Sequence, residues 1–261
     1  MSRAVYATDV TDQEWAQLED LVPKPKSGGR PVKYARREIV DGLLYVLQTG
    51  CAWRLLPHDF PPYGIVFHYF SQWRKWGVFE DINTVLRGRV REQAGRNRQP
   101  SGAIVDSQSV KTTDRGGPKG FDGGKLVKGR KRHVLVDTFG LLLAVIVLPA
   151  NVGDREGLVQ LLSRYRWFLP RLRVIWADGG YDGLLVLQII FTYLLNLDIV
   201  QRLAGTKGFV VQPKRWVVER TFAWLGRFRR LSKDYEYCTD SSQAMIYLAM
   251  SRIMLRRLAR C

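Results

Sequence analysis

The sequence predicts a mixed α/β sheet with flanking helices, preceded by an all-α region of helix-turn-helix character. Three observations lead there. Residues 1–98 carry apolar residues at helical spacing, broken by short turns. Residues 99–261 open with strand-like runs in succession and then alternate helix with strand. Between the two regions, "GRNRQPSG" (95–102) has the composition of a linker. A chain of 261 residues suits two such domains, 1–98 and 99–261.

In the first region "TDQE" (11–14) is a capping box, with Thr11 and Glu14 placed to satisfy each other's backbone donors. A helix follows to about Leu21 and ends before Pro23. "GGRPVKY" (28–34) reads as a basic turn. Val40, Leu43, Leu44 and Leu47 repeat at i, i+3, i+4 and i+7, and Gly50 stops that helix. In "YGIVFHYFSQWRKWG" (63–77) Val66, Phe67, Phe70 and Trp73 form an inward face, leaving Gln72, Arg74 and Lys75 outside. A last helix spans about Phe79 to Arg91. An aromatic and basic third helix suits contact with DNA, which makes Arg74 and Lys75 candidate phosphate ligands. A plain helical bundle with solvated charges carries the same pattern.

The second region begins with the strand "GAIVDSQSV" and continues with "KRHVLVDTFG" and "LLLAVIVLPAN", joined through a tight turn at Phe139-Gly140. Asp154 caps a helix over about 156–167, and "RVIWAD" (173–178) is the next strand. "LLVLQIIFTYLLNL" (184–197) reads as a mostly buried helix whose one polar stripe is Gln188, Thr192 and Asn196. A strand near 198–203, a Gly/Lys loop, a long helix over about 214–230 and a closing helix over 243–258 complete the order. Between Lys111 and Arg132 the basic residues include Arg115, Lys119, Lys125, Lys128, Arg130 and Lys131, against Asp114 and Asp122. This glycine-rich stretch reads as a mobile basic loop for backbone phosphates, or else as a solvated disordered one. His133 and Asp137 are expected on one side of the strand that follows, in structural roles.

Composition narrows the function. Lys and Arg total 41 against 24 Asp and Glu, a formal charge of +17 that calls for a polyanionic partner. Cys51, Cys238 and Cys261 lie far apart, and with His58, His68 and His133 they make neither a zinc set nor a disulfide framework. The N-terminal "MSRAVYATDV" has no signal-peptide apolar core. The apolar run 184–197 is shorter than the roughly 20 residues that cross a bilayer. A soluble cytoplasmic protein is expected, without a membrane or small-molecule cofactor.

One aspartate does not fit a structural part. Asp106 interrupts the apolar strand "AIVDSQSVK", where a short charged side chain is costly to bury. Asp178 stands where a second strand ends, before Gly179-Gly180, and the carboxyl end of a strand is where α/β sheets present functional groups. Glu219 lies on the helix "RWVVERTFAWLGRFRR" with Arg215 one turn before it and Arg227 about two turns after. Three carboxylates meeting at one point need a cation, and an oxygen-only ligand set favours Mg²⁺ or Mn²⁺. Two such ions suit phosphoryl transfer, with Arg215 and Arg227 on the phosphates. Taken singly, each residue has a blander reading: Asp106 bonded to Ser107 or Ser109, Asp178 starting a turn, Glu219 paired with Arg215.

Long motifs spread along the chain then add a resemblance. "GGRP" (28–31), "TGCAWRLLPHDFPP" (49–62), "AIVDSQSVK", "KGRKRHVLVDTFGLL", "NVGDREG", "ADGGYDG" and "GTKGFVVQPKRWVVERTFAWLGRFRRLSKDYE" occur in that order. The chain resembles the DDE transposases of bacterial insertion sequences, in the insertion-sequence-five family of the insertion-sequence-four superfamily. The resemblance implies a ribonuclease H-like catalytic domain with Asp106, Asp178 and Glu219 as metal-binding catalytic triad. It also implies double-stranded DNA as partner, as terminal inverted repeats and as target, and at least a homodimer to hold two ends. The family's tyrosine-arginine-glutamate-lysine signature is matched at Arg215 and Glu219. Gln212 stands for the tyrosine and Gly226 for the lysine, whose part falls to Arg227 or Arg229. A transposase-derived DNA-binding protein without catalysis, and a ribonuclease H-like repair nuclease, are the other readings.

Overall fold

The structure is a computed structural model that describes residues 3–24, 33–114, 116–200 and 214–259. The turn at 28–32, Arg115, the strand end beyond residue 200, the Gly/Lys loop and Gln212 lie outside the described residues.

Helix α1 (Asp12–Leu18) starts as its sequence dictates: the Glu14 amide donates to the Thr11 hydroxyl and the Thr11 amide to the Glu14 carboxylate. It stops short of Leu21. Helix α2 (Arg36–Thr49) buries Val40, Leu43, Leu44 and Leu47 and ends at Gly50, whose φ of 71° is left-handed. A Cβ there would also press on the Arg229 backbone, so two constraints select glycine. In α3 (Tyr63–Lys75) Val66, Phe70 and Trp73 are buried, but Phe67 is 44% exposed, which corrects its assignment to the inward face. One step along a helix turns about 100°, enough to carry Phe67 off the narrow stripe its neighbours occupy. Helix α4 (Val78–Gln93) follows the left-handed Gly77.

All four helices pack against α8 (Thr239–Leu258). Leu43, Leu47, Phe70, Phe79 and Leu86 share one apolar cluster with Met245, Met250, Val134 and Val145, so α8 and one face of the sheet belong to the same core. Polar ties reinforce it: the Glu14 carboxylate pairs with Arg252 at 2.6 Å. Asn83 and Arg87 both donate to the Leu142 carbonyl.

The sheet contains β1 (Gly102–Lys111), β2 (Gly120–Asp122), β3 (Val127–Asp137), β4 (Leu142–Pro149), β5 (Val174–Ala177) and β6 (Asn196–Ile199). β1 lies between antiparallel β3 and parallel β5; β6 extends the parallel side, and β2 and β4 both pair with the outer edge of β3. Helices α5 (Asp154–Tyr165), α6 (Leu184–Tyr193) and α7 (Arg215–Leu225) fall between and after the later strands. The expected order of strands and helices is therefore present, with β2 as an addition.

Three local expectations are corrected. The stretch Lys111–Arg132 is not one long loop, because β1 runs to Lys111, β3 starts at Val127 and β2 lies between. Arg130, Lys131 and Arg132 are consequently buried in β3. Arg130 pairs with Asp234 at 3.1 Å, and Lys131 with Asp122 and Asp154 at 3.4 and 3.1 Å. Helix α6 is not mostly buried: Leu185, Ile189 and Tyr193 face the core, whereas Leu184, Leu187 and Phe191 are exposed. Finally, α7 ends at Leu225, so Arg227 is not on that helix.

His133 and Asp137 also diverge. Asp137, the last residue of β3, folds over its own turn and accepts from the amides of Phe139 and Leu141, while Arg91 reaches it from α4. His133 is fully buried against α5, where a Cβ on Gly157 would overlap the imidazole. Among the described residues neither ring nitrogen has a hydrogen-bond partner. Burial, with Lys131 and Lys125 nearby, pushes the imidazolium down to about 4 despite Asp154. A histidine held neutral stabilises the fold fully above its unfolded value and loses that contribution as pH falls from about 6.5 towards 4. Between pH 7 and pH 5 the parent chain should lose about 2 kcal/mol more than His133→Leu, read as urea midpoints at the two pH values. Equal losses would show that His133 accepts a proton without cost.

Candidate active site

Alternation along β1 explains where Asp106 points. Ala103 and Val105 pack in the cluster beneath α5 and α6, while Ile104 packs in the cluster beneath α8. Asp106 follows Ile104 by two positions and so faces the same side, where α7 packs on β1. It is the half-buried member of the strand's inner stretch, and its Oδ1 accepts from the Ser107 amide at 2.7 Å. Burial pushes the carboxyl up to about 6, with Asp178 adding to the effect and the Ser107 amide, Arg215 and Lys125 opposing it.

Asp178 directly follows β5, the parallel neighbour of β1. Its Oδ1 accepts from the Gly180 amide at 2.9 Å and caps the short 3-10 turn Gly179–Tyr181. Its Oδ2 lies 3.6 Å from the Arg215 guanidinium. The same Arg215 nitrogen lies 3.8 Å from Glu219 Oε1, one turn further along α7. Arg215 thus gathers two of the carboxylates, and Asp106 senses both Asp178 and Arg215.

What holds Glu219 there is the residue pair that follows it. Arg220 donates to the Phe139 carbonyl at 3.0 Å and Thr221 to the Gly140 carbonyl at 2.8 Å, pinning α7 to the β3–β4 turn. Gly140, at φ 78°, leaves room for the Thr221 hydroxyl. Neither residue was singled out from the sequence, since nothing local to "ERT" announces a turn far upstream. Lys125 was counted only as part of a basic stretch. It donates to the Ser107 carbonyl at 3.2 Å, which brings an exposed cation to within a residue of Asp106.

The blander local bonds are therefore all present, and the three carboxylates are nevertheless on one side of the sheet around one guanidinium. The donors are all oxygen, which fits Mg²⁺ or Mn²⁺, and a buried carboxyl raised to about 6 is one that a bound cation would relieve. Among the described residues, however, no three histidine, cysteine or acidic side chains stand together at metal-ligand spacing. Arg215 occupies the ground between Asp178 and Glu219. Of the other expected phosphate ligands, Lys128, Arg227 and Lys75 are exposed and Arg74 is partly buried. Arg227 lines a separate cleft of about 250 Å³ with Trp224, Arg256 and Arg257. Arg130 and Lys131 are engaged by buried carboxylates and face no solvent.

Carboxylates gathered by one arginine where the central strands meet α7, in a strongly basic chain, define an acidic-site α/β protein. Comparison with known proteins makes this particular. Residues 97–254 match the family described as "Transposase DDE domain", and the chain belongs to that family. Residues 10–83 match "Putative transposase of IS4/5 family". Among similar proteins, the "Putative transposase for insertion sequence element IS402" of Burkholderia cepacia is 34% identical over 139 residues, 51% of this chain and 65% of its own length. The "Insertion element IS402 uncharacterized 16.2 kDa protein" of the same organism is 30% identical over 115 residues, 41% of this chain and 76% of its own. The chain thus spans just under two thirds of the first of these relatives. No helix among the described residues is long and apolar enough to cross a membrane.

Proposed function

We propose that the protein is a metal-dependent transposase that cleaves DNA at the ends of an insertion element and joins the freed 3′-hydroxyl to target DNA. The observation that carries this reading is Arg215, which draws Asp178 and Glu219 together on the side of the sheet that Asp106 faces. A ribonuclease H-like sheet supports it: antiparallel β4, β3 and β1 are continued by parallel β5 and β6, with Asp106 on β1, Asp178 just past β5 and Glu219 on α7.

In this reading Asp106, Asp178 and Glu219 would hold Mg²⁺ or Mn²⁺, as two ions, which would supply activation of water and neutralise charge on the leaving oxygen. Arg215 turns from the carboxylates to two oxygens of a phosphate as DNA enters, a bidentate contact that orients the scissile group. Lys125 offers a second cation beside Asp106. Arg227, Lys128, Arg74 and Lys75 contact backbone phosphates further out, which makes affinity fall steeply with salt. Holding two ends requires at least two copies of the chain.

The test uses the full chain and duplexes carrying the inverted repeats that flank its gene. With Mg²⁺, a nick leaving a 3′-hydroxyl at the repeat boundary and strand transfer of a pre-cleaved end are expected. With EDTA neither should occur. A second reading is a DNA-binding protein derived from a transposase, favoured by the finding that no three acidic side chains among the described residues stand at metal-ligand spacing. Binding of the repeats without cleavage in Mg²⁺ or Mn²⁺ would decide for that reading.

A further inference from the structure

Away from the carboxylates, a groove of about 820 Å³ runs between α3 and the segment that leads into α8. Its walls carry Tyr63, Phe67 and Tyr237, all large rings left 44–61% exposed. Trp53, buried beneath, props Phe67 with ring centroids 5.1 Å apart, so the wall is held and not a loose side chain. Between the rings stand Arg54, Arg74 and Lys75. Arg74 is fixed in place, donating to the Ser241 hydroxyl at 2.6 Å across the groove. Among the described residues of the lining the one acidic side chain, Glu236, is neutralised by Arg230 at 2.7 Å. The surface is therefore both aromatic and cationic.

That combination selects its occupant. Cations track phosphates, and exposed ring faces gain most from bases that have no neighbour to stack on. In duplex DNA the base faces are covered by one another, so a duplex would use Arg54, Arg74 and Lys75 and leave the rings idle. We propose that this groove holds an unpaired stretch of a DNA strand, with bases against Tyr63, Phe67 and Tyr237 and phosphates against Arg54, Arg74 and Lys75. The inference rests on the reading of the chain as a DNA-cleaving protein and adds which part of the DNA lies where. A smaller cleft of about 230 Å³ shares Ala52 and Trp53 with the groove and reaches Thr113, just beyond the end of β1. Asp106 to Thr113 is roughly 23 Å of extended chain, longer than one nucleotide can bridge. The groove thus receives the strand beyond the scissile phosphate.

The test uses the full chain without divalent metal, and anisotropy of a labelled fifteen-nucleotide thymidine oligomer against a duplex of equal length. Tyr63→Ala with Phe67→Ala should weaken the oligomer at least ~10-fold and the duplex less than ~2-fold. Arg54→Ala with Lys75→Ala, both exposed positions, should lower the salt slope for the oligomer by about 1.4. Cys238 is an exposed free thiol in the groove lining, so saturating oligomer should slow its alkylation in the unaltered chain, read by peptide mass spectrometry. Unchanged oligomer affinity in the ring variant, or a thiol protected only by duplex, overturns the inference. Cleavage by the unaltered chain with no oligomer held in the groove would refute this assignment alone. Absent cleavage with groove binding intact would refute the catalytic reading alone.

Discussion

Asp106→Asn, Asp178→Asn and Glu219→Gln are each expected to lower Mg²⁺-dependent strand cleavage by ~10³-fold or more, about 4 kcal/mol of transition-state stabilisation. Each substitution keeps the size of the side chain and removes the charge that a cation needs. Stability should move the other way at one position. Asp106 is a buried carboxyl whose ionised form is disfavoured by burial and by Asp178, so an uncharged isostere relieves a cost while still accepting from the Ser107 amide. Thermal unfolding of Asp106→Asn at or above the parent midpoint, together with lost cleavage, identifies a residue retained for chemistry at the expense of the fold. Cleavage that survives all three changes removes the site.

The second large effect lies at the joint between the helical layer and the sheet. Asp137 is fully buried and receives the Arg91 guanidinium at 2.5 Å in addition to two backbone amides. Arg91→Ala leaves that carboxylate buried without its directly bonded cation, which should cost about 3 kcal/mol in urea unfolding. Because Asp137 shapes the turn to which Arg220 and Thr221 attach, cleavage should decline as well, even though Arg91 contacts no reacting group. Asp137→Asn in the same chain should restore much of the stability, since an amide needs no counter-charge. A stability loss below about 1 kcal/mol for Arg91→Ala would mean that Asp137 is compensated by water or by the neighbouring Arg87, Arg220 and Arg257.

Features that depend on neighbours in sequence were legible before the structure. Thr11 and Glu14 cap α1 within one turn, Gly50 ends α2 because its own φ demands it, and Phe139-Gly140 turns β3 into β4. Asp106 was conspicuous because a charge in an apolar strand has a local cost whatever surrounds it. Features that depend on distant partners were not. Arg130 and Lys131 look like solvent-seeking cations until Asp234, Asp122 and Asp154 arrive from elsewhere in the chain. The apolar run 184–197 predicts burial, yet only the stripe of Leu185, Ile189 and Tyr193 finds a partner among the described residues. Arg227 was placed near Glu219 by assuming that helix periodicity continued beyond Leu225.

The position of α8 has a consequence for synthesis. All three carboxylates leave the ribosome before this helix does, and the four helices made first have to wait for it as their common packing partner. A nascent chain thus carries the acidic residues of the site before it has the means to fix them. The polypeptide gains its finished shape only once the last turns of α8 have emerged.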